Sequence, residues 1–198
     1  MTPLYASYVA IALWAVSWGL AALWSRRTAA RPPALDQVAY LAPTVVGGFL
    51  VAVTARAAIE GWAFAFGGPA LWRLSDWAGW ALFGLCLLGL MFTWWARLTL
   101  GDLWSSSVQR KAGHTLVERG PYRLVRHPIY SGLILALTAA SLELARPVGF
   151  LGTALLCLGF WMKARLEERF LSAELGEGAY ADYRRRTPML VPFWPRGA

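Results

Sequence analysis

Residues 129–162 read IYSGLILALTAASLELARPVGFLGTALLCLGFWM, two apolar runs parted by Ala145 and Arg146. Ile129–Leu144 and Pro147–Met162 each approach the length a helix needs to cross a ~30 Å hydrocarbon core, at the lower end of that range. The connection is so short that the two must form an antiparallel hairpin. Working outward, Lys163 to Leu175 contains no helix breaker before Gly176, so the second run continues as a helix beyond the apolar stretch.

Towards the N-terminus three more uncharged runs appear: Leu4–Trp24, Val38–Ala55 and Trp77–Ala96. Arg26, Arg27, Arg31 and Pro32-Pro33 end the first, Arg56 ends the second, and Asp76 and Arg97 fence the third. Gly47-Gly48 suits close helix contact in lipid. Residues 61–69 are glycine-rich, too short to span, and their aromatics fit an interfacial loop. The chain is 58% hydrophobic and 15% charged, against about a quarter charged in soluble domains. The expected fold is an all-α integral membrane protein of about five transmembrane helices in a single domain, 1–198. Residues 1–100 hold three spans, and 101–198 hold a polar loop, the hairpin and a C-terminal tail.

Sixteen of the nineteen Lys and Arg residues fall in the first loop, the third loop with its borders, and the tail. Only Arg56, Arg73 and Arg146 lie on the other side. The positive-inside rule therefore places loops one and three and the C-terminus in the cytoplasm, with the N-terminus outside, as in a cell inner membrane. Met1–Leu4 lack the basic region of a signal peptide. The net charge of +8 sits at the ends of apolar runs, where anionic lipid meets it, so nucleic acid is not the expected partner. Cys86 and Cys157 have no metal spacing, and His114 and His127 cannot build a zinc or di-iron site, so no metal is expected.

The chemistry-bearing residues cluster in and after loop three. Gly120-Pro121 is a turn pair, and Pro128 suits the first turn of a helix, where its missing N–H costs nothing. His127 and Tyr130, three apart, face the same way. A helix N-terminus carrying Arg126 and His127 favours an anionic group. Lys163 and Glu167 share a face where the last span leaves the membrane. The plain alternative is a snorkelling helix end with a weak surface salt bridge. Because the hairpin is tight, these two groups must be close in space.

His114-Thr-Leu-Val, Gly120-Pro-Tyr, Arg126-His-Pro-Ile-Tyr-Ser-Gly, Glu167-Glu-x-x-Leu171 and Tyr180-x-x-Tyr183, in this order, resemble the isoprenylcysteine carboxyl methyltransferase family. The related phospholipid methyltransferases share its C-terminal half. The resemblance covers about Gln109 to Pro192. It implies S-adenosylmethionine as methyl donor, held in the cytosolic loop and closed over by the tail. By position it implies a donor pocket of His114, Leu116, Val117, Tyr122, Arg126, His127, Pro128, Ile129 and Tyr130, completed by Glu167 and Glu168. Gln109 matches a further donor contact at a different spacing. The family's substrate-facing arginine, four residues before the matching glutamate, is Lys163 here, with Arg165 two further on. Lysine lacks the planar fork that grips a carboxylate.

The expected function is methyl transfer to a lipophilic acceptor, a prenylated carboxylate or a lipid-like small molecule, in contact with membrane lipid. Lys163, Arg165 and Glu167 are the expected catalytic residues. Methylation of a phospholipid head-group amine is an alternative. A non-catalytic transporter or assembly factor is a third reading, against which spans one to three carry no charge to mark an ion path. Tyr180 and Tyr183 are expected to anchor the tail at head groups, Trp94, Trp95 and Trp104 to belong to an interfacial belt, Glu143 to be an interfacial charge, and Glu168 to be the solvated neighbour of Glu167.

Overall fold

The computed structural model describes residues 1–24, 28–30, 34–61, 67–101, 104, 110–111, 116–175 and 177–193. Among the described residues six α-helices follow in chain order: α1 Pro3–Ala21, α2 Ala34–Ile59, α3 Asp76–Leu100, α4 Pro128–Leu144, α5 Pro147–Leu175 and α6 Glu177–Arg186. Four of them (α1, α2, α3, α5) are long and apolar enough to cross a bilayer, and α4 is a shorter apolar helix. The five expected runs are all helices. A local signal marks several starts: Thr2 caps α1 by accepting from the Tyr5 amide at 3.3 Å, and proline opens both α1 and α4.

The hairpin forms as the short connection demands. Ala145 adopts a left-handed conformation (φ 52°) that closes α4, and its amide donates to Ser141 O. The loop after α2 folds over this turn: the Leu71 amide donates to Ala145 O and the Trp72 indole to Leu142 O.

α2 packs on α5 and α3 packs on α4, with α1 against α3. Both helix pairs depend on glycine. A Cβ on Gly47 would stand 2.5 Å from Gly152 O, and one on Gly89 would stand 2.5 Å from Gly132 O, so the backbones touch where a side chain would part them. The core between α1, α3 and α4 is built from Cys86, Leu90, Ala136 and Ala139, with Trp14 and Ile11 against it. Leu13, Val16, Leu20, Phe49, Leu88 and Met91 point outward, which suits lipid and not water.

Two short strands, β1 Thr28–Ala30 and β2 Arg110–Lys111, pair antiparallel with Thr28 opposite Lys111. They tie loop one to loop three, so both lie at one end of the bundle, the end where α5 stops and α6 folds back.

Arg97 departs from its expected place as a solvated fence. α3 runs through it to Leu100, and its side chain is buried. Its guanidinium donates to Ala21 O at 2.7 Å and to Gly101 O, and lies 4.6 Å from the Trp104 ring centroid. Trp104 is therefore a buried partner of Arg97 instead of a belt residue, whereas Trp95 is exposed. The aromatics at 62–66 lie outside the described residues.

Candidate active site

The site is made where α4 begins and α5 ends. Gly120, with φ 59°, turns the chain into a 3₁₀ turn, Gly120–Arg123, that buries Pro121 and Tyr122. Arg126 and His127 then lead into Pro128, the first residue of α4. Their amides do not face an external anion. The Arg126 N–H donates to Pro188 O at 2.9 Å and the His127 N–H to Met189 O at 3.1 Å. Ser131 Oγ donates to Leu190 O. The C-terminal segment is thus laid across the start of α4.

The anions at this helix start are the chain's own Glu167 and Glu168. Glu168 is not the solvated neighbour the sequence implied; its side chain is 4% exposed, against 22% for Glu167. Adjacent residues on a helix point about 100° apart, and here the second of the pair turns into the protein. Arg126 Nε donates to Glu168 Oε1 at 2.7 Å, His127 Nε2 lies 3.2 Å from the same oxygen, and Arg184 Nε is 3.8 Å from Oε2. Arg126 also donates to the carbonyls of Arg184, at 3.1 Å, and of Thr187, which closes the end of α6. Its guanidinium is committed to the fold.

Glu167 is held from two sides. The Tyr130 hydroxyl donates to Oε1 at 2.6 Å, and His127 Nδ1 is 3.3 Å from Oε2. His127 therefore faces a carboxylate from each ring nitrogen, an arrangement that needs both nitrogens to be donors. Burial alone would lower its pKa, but the hydrogen bonds to Glu167 and Glu168, reinforced by their charges, raise it above the ordinary value. Such an imidazolium has no lone pair with which to act as a base. Burial, with the charge of Glu167 behind it, pushes the Tyr122 phenol well up, and burial also raises Tyr180 and Tyr183, so all three stay neutral.

The tail tyrosines are not head-group anchors. Tyr180 and Tyr183 are buried, and the Tyr183 hydroxyl donates to Tyr122 O at 2.7 Å. Arg186 reaches Glu118 at 2.9 Å. The tail is locked onto the loop that precedes α4.

The structure separates Lys163 from Arg165. The Lys163 ammonium lies 5.6 Å from the Tyr40 ring centroid and 5.5 Å from that of Tyr130, with Glu167 as a charged neighbour. Arg165 is exposed on another face of α5, over Trp161 at 5.6 Å. His127, Tyr130 and Phe160 stack in series, with centroids 5.7 Å apart at each step. Leu116, Val117 and Ile129 are half-buried and Pro128 is buried. Gln109 and His114 lie outside the described residues. Among the described residues, no group of three or more His, Cys, Asp and Glu is arranged to hold a metal.

Tyr40 is the residue that sequence reasoning missed. It comes from α2, carries no motif, and reaches Lys163 only through the packing of α2 on α5. Phe160 had a local signal, three residues before Lys163 and seven before Glu167 on the same face.

The donor set fits the methyl donor that the motifs imply. A carboxylate accepts from about four directions, and Glu167, oriented by Tyr130 and His127, is partly exposed, so it retains capacity to accept from a hydroxyl or ammonium group.

The sequence profile of the isoprenylcysteine carboxyl methyltransferase (ICMT) family matches residues 82–173, from the middle of α3 to the end of α5. Cobalt-zinc-cadmium resistance protein CzcN of Cupriavidus metallidurans is 35% identical over 124 residues, 60% of this chain and 54% of that protein. Protein-S-isoprenylcysteine O-methyltransferase B of Arabidopsis thaliana is 30% identical over 116 residues, 56% of this chain and 58% of that protein. Methanethiol S-methyltransferase 2 of Bradyrhizobium diazoefficiens is 35% identical over 133 residues, 62% of this chain and 49% of that protein. The alignments span about half the length of these relatives.

Proposed function

We propose that this chain, whose residues 82–173 match the isoprenylcysteine carboxyl methyltransferase family, transfers a methyl group from S-adenosylmethionine to a lipophilic acceptor at the membrane surface. The observation that carries this reading is Glu167, a partly exposed carboxylate held by Tyr130 and His127, with the Lys163 ammonium beside it. When bound, the donor supplies an electrophilic methyl group on a sulfonium. Glu167 holds a donor hydroxyl or ammonium group. The motif resemblance assigns Leu116, Val117, Pro128 and Ile129 to the donor's apolar contacts, and the stacked Phe160, Tyr130 and His127 beside Glu167 would help to keep water out.

Displacement at a sulfonium needs no acid for its leaving group. What the protein supplies is alignment, with the acceptor atom about 3 Å from the methyl and in line with the bond that breaks. The relatives are named for a thiol and for an isoprenylcysteine, substrates whose reacting groups attack as anions. Lys163, faced by Tyr40 and Tyr130, is placed to hold such an anionic head, as a point charge and not as a bidentate fork. The charge asymmetry of the loops supports a cytosolic position for this end of the bundle, on the side where the donor is made.

The test is thermal unfolding of the purified full-length protein with S-adenosylmethionine or its demethylated product. Binding raises the melting temperature by mass action. Glu167→Gln and Tyr130→Phe are expected to lose that shift. Lys163→Met is expected to keep it but to lose methylation of long-chain thiol or carboxylate acceptors. Equal donor shifts in wild type, Glu167→Gln and Tyr130→Phe overturn the reading.

A further inference from the structure

The outward side of α5 carries a second feature that methyl transfer leaves unused. Leu151, Ala154, Leu158, Trp161, Arg165 and Arg169 are all exposed, and their spacing of three and four residues sets them in one stripe along the helix. The stripe is apolar as far as Leu158, aromatic at Trp161 and cationic above it. From Leu151 to Trp161 the helix rises about 15 Å, half of a ~30 Å hydrocarbon core and so the depth of one leaflet.

At the cationic end the stripe opens into a cavity of about 610 Å³ between the start of α2 and the end of α5. Asp36, Tyr40, Trp161, Arg165, Arg169 and Arg184 contribute to its walls. Glu168 reaches it as well, but its charge is met by Arg126, His127 and Arg184. That leaves Asp36 as the acid beside Arg165 and Arg169. Arg165 is braced by its stack on Trp161. Arg169 has no partner among the described residues.

We propose that this groove binds one anionic phospholipid of the surrounding leaflet. Its phosphate meets Arg165 and Arg169, and its acyl chain lies along Trp161, Leu158 and Leu151. Arginine's planar fork suits phosphate oxygens better than a lysine would. The position at the end of a span is where head-group phosphates lie. Apolar stripe, aromatic step and arginines follow the order of tail, interface and head group in the lipid. Asp36 narrows the choice, because it opposes a head group with further negative charge beside the phosphate and tolerates hydroxyls. A phosphatidylglycerol-like lipid meets both conditions. The inference does not depend on the methyl-transfer reading.

The experiment reconstitutes the full-length protein in nanodiscs of phosphatidylcholine, with and without phosphatidylglycerol. It reads the melting temperature and, by native mass spectrometry after detergent extraction, the lipid that stays bound. Phosphatidylglycerol is expected to raise the melting temperature and to be retained about tenfold over phosphatidylcholine, a difference of about 1.4 kcal/mol. Arg165→Gln with Arg169→Gln should abolish that preference, whereas Arg73→Gln, at the opposite end of the bundle, should leave it intact. If the double variant fails to fold, Arg169→Gln alone serves, since Arg169 has no partner to lose among the described residues. The proposal is overturned if both lipids are retained alike, or if the arginine variants keep the preference. It is also overturned if glycerol phosphate alone gives the same thermal shift, which would mark a soluble anion site. Recovery of the retained lipid in methylated form after donor is added would assign the groove to the acceptor and overturn it too.

Discussion

The two ends of the α4–α5 hairpin each bury a carboxylate, and they treat it in opposite ways. At the open end Glu168 is met by Arg126, His127 and Arg184, and Glu167 by Tyr130 and His127. At the turn end both carboxylate oxygens of Glu143 are buried with no salt bridge among the described residues, and the Ser7 and Tyr8 hydroxyls are their polar neighbours. A buried charge is tolerated when paired and hydrogen-bonded and is costly otherwise. The open end therefore has its charges oriented before any ligand arrives. The turn end carries an acid that the fold tolerates without using it as a brace.

The sharpest way to break this contrast is at Glu168. Glu168→Ala leaves Arg126 buried without its anion and His127 with Glu167 alone, and should destabilise the protein by roughly 3–5 kcal/mol, read by thermal or chemical unfolding in micelles. Replacing Arg126 and Glu168 together by Met and Leu should cost less than the single change. A Glu168→Ala loss under about 1 kcal/mol would place the pair among weak surface bridges and end the contrast.

Tyr130→Phe comes next. It removes a hydrogen bond to a charged acceptor and should cost about 1.5–3 kcal/mol, with loss of the donor-induced thermal shift. Retention of both would mean that Glu167 is held by His127 alone.

The pH dependence sharpens the comparison further. His127 is raised in the folded protein above its unfolded value of about 6.5. The stabilisation from its charged form is complete below that value and is lost as pH rises through the folded pKa, by at most about 1.4 kcal/mol per pH unit. Melting temperature should fall over that interval in wild type and stay flatter in His127→Gln. Parallel profiles would show that the ring is neutral in the fold.

The smallest effect is expected at the other end. Glu143→Gln should change stability by no more than about 0.5 kcal/mol, or raise it, since the glutamine carbonyl can still accept from the Ser7 hydroxyl while the buried charge is removed. A loss above about 1 kcal/mol would show that the charge itself is braced and make the two ends alike.

Much of the architecture was legible because a bilayer imposes local rules. Apolar run length, terminal arginines and proline at N1 marked α1 to α5 within a few residues, and Arg146-Pro147 demanded the hairpin. The hairpin in turn required that Tyr130 and His127 approach Glu167, which they do. Which of two adjacent glutamates is the buried one was not legible, because Glu167 and Glu168 differ only in the neighbours they meet. Nor was Tyr183 as a buried latch, since an aromatic beside arginines has the same local pattern whether it meets lipid or protein.

The amino-acid sequence alone determined the helices, their order and the end of the bundle where the polar chemistry gathers, because hydrophobic length and charge placement act residue by residue. Only the tertiary structure decided that Tyr40 of α2 faces Lys163, that Arg97 is buried, that Arg165 turns away from Lys163 into a separate groove, and that the tail carbonyls occupy the start of α4. Those outcomes depend on which helix faces pack together, with Gly47 on Gly152 and Gly89 on Gly132 setting how closely. Contacts between segments far apart in the chain leave no periodic trace in either one.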